Sequence, residues 1–320
     1  MAISILIKSL NEENHIERCI NSCKLCGVKA KVFLADSLSQ DATICIAKKF
    51  PINIIQLKSI KDRSCGVGAQ LGWQYVDADF ILILDGDMEL LPGFINAAVS
   101  ELEKDSKLAG VGGQVIEMVD NNFEFKRRKI LGYLIGDVDF LSGGGIYRSS
   151  AIKDIAYLTN RNLHSFEETE LGWRLQAKGW KLKRINVPAI KHYGHTDESY
   201  ALLLKRWRSK YLWGYGELMR ASVRKPYFLK SLWNARLGFL IMAVWVFFIL
   251  SLFFNPIIGI MPIISLFLIQ IVRKRSIAHG IYSVISWHFV AAAIFPGFFR
   301  KQKNPKAWIP SKIIKEAKNA

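Results

Sequence analysis

The sequence predicts an α/β domain with a mostly parallel central sheet, followed by an α-helical region that meets a membrane. Three observations carry this. Over the first two thirds of the chain, short unbroken apolar runs alternate with stretches of helical periodicity, the pattern of strands covered on both faces by crossover helices. Polar clusters fall repeatedly where those runs end. The last third holds long uncharged apolar runs between basic clusters, of the length that spans a bilayer.

The chain has 320 residues and a formal charge of +17. Strong positive charge is one footprint of nucleic-acid binding. Here, however, the densest positive segments (205–236, 273–275 and 300–318) flank the apolar runs. That placement suits anionic lipid headgroups and argues against a nucleic-acid partner. The opening Met-Ala-Ile-Ser-Ile-Leu-Ile-Lys is interrupted by charge too early for a secretory signal, so the first domain is expected in the cytoplasm. Five cysteines, odd in number and mostly early, fit a reducing compartment without disulfides.

In chain order, residues 3–7 read as a buried strand ending in Lys8-Ser9-Leu10-Asn11-Glu12-Glu13. A helix follows over 15–25. Its Cys19, Cys23 and Cys26 have the spacing of an iron–sulfur loop, but the i, i+4, i+7 pattern on a helix assigns them to one packing face. Residues 31–35 form a second strand, running into Asp36-Ser37-Leu38-Ser39-Gln40-Asp41, a polar turn able to cap a helix over 42–50. Residues 52–57 are a third strand. A Gly-containing turn over 65–68 precedes a helix at 69–76; Gly66-x-Gly68 lacks the third glycine of a dinucleotide fingerprint and marks a close backbone approach.

The next strand, 80–84, is an unbroken apolar run that ends in Asp85-Gly86-Asp87-Met88-Glu89. Carboxylates at the carboxyl end of a buried strand are costly unless paired or metal-bound, and that edge is where open α/β sheets hold ligands. With Gly86 keeping the space between them open, both acids could reach one divalent cation and its phosphates; a solvated acidic turn is the plainer alternative. A helix over 92–103, a glycine-marked strand over 109–118 and a basic, apolar stretch at 127–134 follow. The triple glycine Gly143-Gly144-Gly145 suits backbone lying against a ligand, or a flexible loop. Glu167, Glu168 and Glu170 open an amphipathic helix capped by Gly179, where acids are also ordinary helix-dipole partners. A strand over 180–187 leads to His192 and His195, two histidines near one strand end.

Taken together, Asn11-Glu12-Glu13, Asp36-Ser37-x-Ser39-x-Asp41, Asp85-Gly86-Asp87, Gly143-Gly144-Gly145-x-x-Arg148, Glu167-Glu168-x-Glu170-Leu171-x-x-Arg174 with Gly179, and Val187-Pro188 with His192 resemble the inverting family 2 glycosyltransferases over about residues 1–222. The resemblance implies an A-type nucleotide-sugar-binding fold, Rossmann-like. It implies that Asp36 reads a uracil-type base, with Glu12 near the same nucleotide and Asp85 near the ribose. Asp87 then holds Mg²⁺ or Mn²⁺ on the diphosphate, with His192 close to that metal. Glu168 matches the catalytic base, with Glu167 beside it. Gly143, Gly144, Gly145 and Arg206 fall on the acceptor side. A metal neutralises charge on the leaving diphosphate, and a carboxylate on the opposite face takes the proton of the incoming hydroxyl. In-line attack makes a β-linked product from an α-linked donor.

Three departures sharpen the expectation. Gln70-Leu71 stand where the family often has Arg-Asn, and the base is Glu168 where Asp is commoner. Leu203 precedes Arg206-Trp207 where processive synthases carry Gln, which favours transfer of a single sugar.

The last third, 223–320, is expected to anchor the domain. Residues 237–254 and 257–272 form a membrane hairpin whose two ends both carry basic residues, so both face the cytoplasm. Residues 281–299 are read as interfacial or re-entrant, because a third crossing would put the basic tail outside. The stretch 205–220, with Trp207, Tyr211, Trp213 and Tyr215, has the composition of an interfacial helix.

The expected function is a membrane-bound enzyme moving one sugar from a nucleotide-sugar donor, UDP-linked by preference, to a lipid-linked saccharide in envelope or exopolysaccharide assembly. Transfer directly to polyprenyl phosphate is the alternative within the class, and a non-catalytic membrane scaffold is the alternative outside it.

Overall fold

The chain alternates strand and helix from its first residues: β1 (Ile3–Ser9), α1 (Ile16–Lys24), β2 (Lys31–Asp36), α2 (Thr43–Ala47), β3 (Asn53–Leu57), α3 (Cys65–Trp73) and β4 (Phe80–Asp85). The structure, a computed structural model, describes residues 1–194 and 196–317. β1 lies between β2 and β4 and is parallel to both, and β3 extends the sheet beyond β2. Parallel register brings Ser9 beside Asp36 and Lys8 beside Asp85. The polar ends of separate strands thereby meet along one edge, as in other open α/β sheets.

The second half is mixed. β5 (Met88–Leu90), α4 (Phe94–Lys104), β6 (Leu108–Glu117), α5 (Phe123–Leu131), β7 (Gly136–Asp137), β8 (Ile146–Arg148), α6 (Ser149–Asp154), α7 (Glu167–Ala177) and β9 (Lys181–His192) follow. The sheet runs β3-β2-β1-β4-β8-β6-β9-β5, with β7 also on β9. β8 is antiparallel to β4 and β6, and β5 and β7 are antiparallel to β9, leaving β6 and β9, among the described residues, as the one parallel pair in this half. The expectation of a mostly parallel sheet therefore holds for β1 to β4 and gives way beyond them. A parallel return needs a crossover of a dozen or more residues, and the chain turns back at Gly86-Asp87 after only two.

Apolar faces of the sheet are covered on both sides. α1 and α4 pack on one, burying Ile5, Ile7, Leu82 and Phe94; α3, α6 and α7 pack on the other, burying Leu6, Ile81, Ile83 and Leu171. Cys19, Cys23 and Cys26 are buried in the first of these cores, so their spacing serves packing. The expected turn at 65–68 is instead the first turn of α3, capped by Ser64 Oγ, which accepts from the Val67 amide. Its glycines are there for proximity: a Cβ at Gly66 would stand 1.9 Å from the carbonyl oxygen of Asn160, and one at Gly68 would press on Lys8.

The remaining helices are α8 (Ser199–Arg208), α9 (Gly214–Ser222), α10 (Phe228–Asn234), α11 (Arg236–Ser251), α12 (Pro256–Lys274) and α13 (Ile277–Phe299). α12 and α13 are long and apolar enough to cross a membrane, with mean hydropathies of 2.0 and 1.5. α10 and α11 pass the same test only as a pair bent by 64°. α13 packs on α9, α8 and the turn Tyr211–Trp213 on one side and on α11 and α12 on the other. The aromatic stretch at 205–220 is thus not one interfacial helix. It breaks at Lys210, whose φ is +64°, and Trp207, Tyr211 and Trp213 pack against Tyr282, Ile285 and Phe289 of α13. An apolar helix was available to cover those rings, so lipid is not needed there.

After α13 the chain returns to the sheet. β10 (Ser311–Lys315) adds to the outer edge of β3 in antiparallel register. Arg161 donates to the carbonyls of Ala307 and Trp308, Gln74 exchanges hydrogen bonds with the Ile309 backbone, and the hydroxyls of Tyr75 and Ser311 meet at 2.7 Å. A boundary that gives all of 223–320 to the membrane region therefore takes in a strand of the sheet. Basic composition marked that tail as lipid-facing, whereas its Ile309 is fully buried in the second of the two sheet cores.

Candidate active site

Four strand ends and one helix start converge at the polar edge of the sheet. The centre is Lys8, whose Nζ lies 2.8 Å from Asp85, 3.2 Å from Glu167 and 3.8 Å from Glu168. Its side chain is only 13% exposed. Burial opposes the charge, but the three carboxylates outweigh it and hold the lysine well above its ordinary pKa. Lys8 joins the end of β1 to the end of β4 and to the first turn of α7. No sequence signal marks it, since a lysine after a strand is unremarkable and its partners are far along the chain.

Glu168 is gripped from two sides. Its Oε2 accepts the Gly143 amide at 2.8 Å, while Oε1 faces Lys8. Burial, with Asp85 and Glu167 nearby, raises its pKa to about 7 against the opposing pull of Lys8 and the Gly143 amide. A buried carboxylate poised near neutrality is suited to general-base work. The residue before the pair, Phe166, has φ +66° and packs edge-on against Tyr215 of α9. Such backbone in a non-glycine residue is costly and persists only where surroundings enforce it. Those surroundings are visible: Glu217 of α9 accepts from the His164 amide and from Arg300, each at 2.8 Å, and lies 2.8 Å from His164 Nδ1. Arg300 caps α13, so the helix that begins with Glu167 and Glu168 is wired to the end of α13.

The triple glycine supports this half. Gly143 and Gly144 have φ near +60°, and Gly144 and Gly145 are pressed against Ile190 and Leu141. Gly143 positions Glu168, and its two neighbours permit packing. Arg206, expected on the acceptor side, ion-pairs with Glu124, whose other oxygen binds Arg128 at 2.5 Å. Its charge is therefore already matched inside the protein.

On the donor side, Asp36 is fully buried. Its carboxylate accepts from the Ser39 amide at 3.0 Å, the Ser39 hydroxyl at 2.5 Å, Gln56 at 2.9 Å and Ser9 at 3.3 Å. Direct contact with a base requires one of these donors, Gln56 foremost, to yield an oxygen. Arg63 holds the adjoining loop through the Ser37 and Leu38 carbonyls. Gln56 and Arg63 are further residues of this corner that no sequence signal marked.

Gly86 does not leave an open gap between the two acids, as its position had implied. A Cβ there would lie 2.8 Å from Glu12 Cγ, so the glycine makes room for Glu12. Burial, then the charges of Asp87, Asp85 and Asp41, raises Glu12 to about 8. Asp87 Oδ2 is 3.4 Å from His192 Nε2, and His192 Nδ1 is 2.6 Å from Glu117, which also accepts from the Tyr133 hydroxyl at 2.8 Å. Burial disfavours the imidazolium, but the hydrogen bonds to Asp87 and Glu117 prevail and raise His192 to about 10. His195 lies outside the described residues.

Among the described residues no cluster of three or more His, Cys, Asp or Glu is arranged to hold a metal by itself. Two donors converge, however: Asp87 and His192, the latter oriented by buried Glu117 in the way that carboxylates behind metal-binding histidines orient them. This set fits a cation that takes its remaining ligands from a diphosphate and water.

Comparison with known proteins bears on the sequence family and on the fold. The sequence model described as Glycosyl transferase family 2 matches residues 4–157. A protein of Methanococcus voltae, named dolichyl N-acetyl-α-D-glucosaminyl phosphate 3-β-D-2,3-diacetamido-2,3-dideoxy-β-D-glucuronosyltransferase, is 24% identical over 263 residues, 75% of this chain and 79% of the relative. Among solved structures, S. aureus TarS 1–349 aligns with a TM-score of 0.50, and the same protein in complex with UDP-GlcNAc with 0.51. Both alignments are at 15% identity, cover 66% of this chain and span 64% of the TarS chain, under two thirds of its length. At that identity the likeness speaks to the fold. Residues 4–157, the part that matches the family 2 glycosyltransferase model, carry Asp36, Asp85 and Asp87.

Proposed function

We propose that the protein is an inverting, metal-dependent transferase that moves one sugar from a nucleotide donor, UDP-linked by preference, to a lipid-linked saccharide at the cytoplasmic face of a membrane. The observation that carries this is the grip on Glu168. The carboxylate is buried, has a pKa near 7, and faces the donor-side acids across Lys8. Asp85 sits at the ribose end of the donor, and Asp36 with Gln56 forms the corner that receives the base. A divalent cation held by Asp87 and His192 supplies neutralisation of the charge that develops on the leaving diphosphate. Glu168 Oε1 accepts the proton of the acceptor hydroxyl as that oxygen attacks, while the Gly143 amide keeps the carboxylate from swinging away. Lys8 holds Glu167 beside it and keeps Glu168 partly ionised at neutral pH. Attack from the side opposite the diphosphate inverts the anomeric carbon.

A lipid-linked saccharide is favoured over bare polyprenyl phosphate by the M. voltae relative, whose name describes a dolichyl N-acetylglucosaminyl phosphate acceptor. The helices support a membrane seat. Glu217 of α9 accepts from the His164 amide and β10 joins the sheet, which supports an even number of crossings that return the chain to the side it left. A hairpin of α11 and α12, with α13 lying between the sheet domain and the bilayer, meets that condition.

The test is to reconstitute the full chain in lipid nanodiscs and to assay nucleotide sugars for release of the nucleoside diphosphate with Mg²⁺ or Mn²⁺ and a lipid-linked acceptor. Release that needs both metal and acceptor, with an anomerically inverted product, is expected. Turnover that persists in chelator contradicts the metal, and a retained configuration contradicts in-line attack. A product in which sugar is joined directly to polyprenyl phosphate selects the alternative acceptor.

A further inference from the structure

The basic, apolar stretch around α5 has no part in the chemistry above. α5 is anchored by its inner face. Asn122 caps it by accepting the Phe125 amide; Phe125 is buried against Gly194 and the His192 ring; Glu124 pairs with Arg128 and Arg206. Tyr133 fixes the far end by donating to Glu117. Around the Tyr133 anchor the outer face presents Ile130 and Leu134, each 82% exposed, together with Leu131 and Ile135. Lys126, Arg127 and Lys129 are exposed beside them, Lys129 in a surface pair with Asp120. Four large apolar side chains projecting from one short segment are rarely left to water on a soluble surface.

The rest of the molecule says what covers them. Phe123, at the start of α5, lies tilted against His279 with ring centroids 3.7 Å apart and meets Tyr282 edge-on at 5.2 Å. His279 lies in the first turn of α13, a few residues after Arg273, Lys274 and Arg275, the basic end of α12. The outer face of α5 therefore continues the level at which a membrane-crossing α12 reaches the headgroups. Its composition, cations interleaved with aliphatic side chains, matches an anionic lipid surface.

We propose that the outer face of α5 and the loop to Ile135 form a second membrane foothold, separate from the α11–α12 hairpin. Ile130, Leu131, Leu134 and Ile135 enter the acyl boundary, while Lys126 and Arg127 meet anionic headgroups. This rests on the membrane reading above and adds to it. The foothold sets the Tyr133–Glu117–His192 side of the site against the lipid surface, where a lipid-borne acceptor arrives.

The test uses the full chain in nanodiscs containing anionic lipid. Cys45→Ser removes the exposed thiol, Cys19, Cys23 and Cys26 being buried and burial pushing the Cys65 thiol up. An environment-sensitive fluorophore is attached at Ile130→Cys or Leu134→Cys, with Phe253→Cys at the hairpin tip and Lys29→Cys on the sheet domain as references. Quenching by nitroxide lipids at 130 and 134, but not at 29, is expected. Lys126→Gln and Arg127→Gln should each weaken that docking by about fivefold. Absence of lipid quenching at 130 and 134 overturns the foothold. If 253 is quenched at the same time, the hairpin reading survives alone. A blue-shifted but unquenched signal at 130 overturns it in favour of a protein partner or a second copy.

Discussion

The two halves of the site are built in different ways. The donor half, Asp36, Asp85 and Asp87, stands on the ends of neighbouring parallel strands and is braced by residues close by in the sheet: Ser9, Ser39, Gln56 and Glu12. The base half, Glu167 and Glu168, begins a helix whose entry turn has left-handed backbone at Phe166 and is held by Tyr215, Glu217 and Arg300, residues of the membrane-proximal helices and their exit. Lys8 is in ion-pair contact with both halves. On the proposed roles, donor binding then depends on the sheet, whereas the base is placed by helices that pack on α13. Changes in the two halves should therefore separate in what they measure.

Apart from loss of the base itself, the largest effect is expected from Asp87→Asn. It removes the one carboxylate donor in the Asp87–His192 pair, and loss of about 100-fold in metal-supported turnover follows, read as a rise in the metal concentration for half-maximal rate. An unchanged metal requirement breaks the assignment of Asp87.

Lys8→Met should strike the bridge. Glu168 must be ionised to accept a proton, so the rate climbs with pH through about 7 in the natural chain. Lys8 is the main influence lowering that pKa, and without it the climb moves to higher pH. At pH 7 the variant turns over about fivefold more slowly for the first pH unit by which the climb is displaced and about tenfold for each further unit, and it recovers in alkali. A pH–rate profile for both chains checks this; a profile displaced to lower pH contradicts it.

Arg300→Met should act on the base half alone. It removes a charged donor from buried Glu217 and costs about 2 kcal/mol of stability. kcat falls while donor affinity stays, and equal loss of both removes the distinction between the halves. The smallest effect is expected from Ser39→Ala, which takes one hydrogen bond from Asp36 at a cost of about 1 kcal/mol. Here donor KM rises and kcat holds.

Legibility in the sequence followed the same division. Apolar runs that end in acids mark β2 and β4 and the carboxylates on them, because a strand and its terminal residue are adjacent in the chain. Glu168 is legible through a run of motifs in order, not through its own surroundings. Lys8 is not legible because its partners lie 77, 159 and 160 positions away. Glu117, which orients His192, looks like any acid at the end of a strand. β10 is hidden by composition, since its lysines and isoleucines resemble a membrane-flanking tail and its partner β3 lies some 250 residues earlier. The helical Gly66 and Gly68 read as a turn because glycine is a poor helix former, while the contact that demands them comes from Asn160 and Lys8.

The most direct test is Glu168→Gln in the full chain, with nucleotide-sugar binding and sugar transfer measured on the same preparation. Gln keeps the size of the side chain and removes its capacity as a base. Donor affinity should stay within about twofold of the natural chain while transfer falls by about 10²- to 10⁴-fold. Transfer at the natural rate would show that Glu168 is not the base, and joint loss of binding and transfer would show that the two halves are not independent.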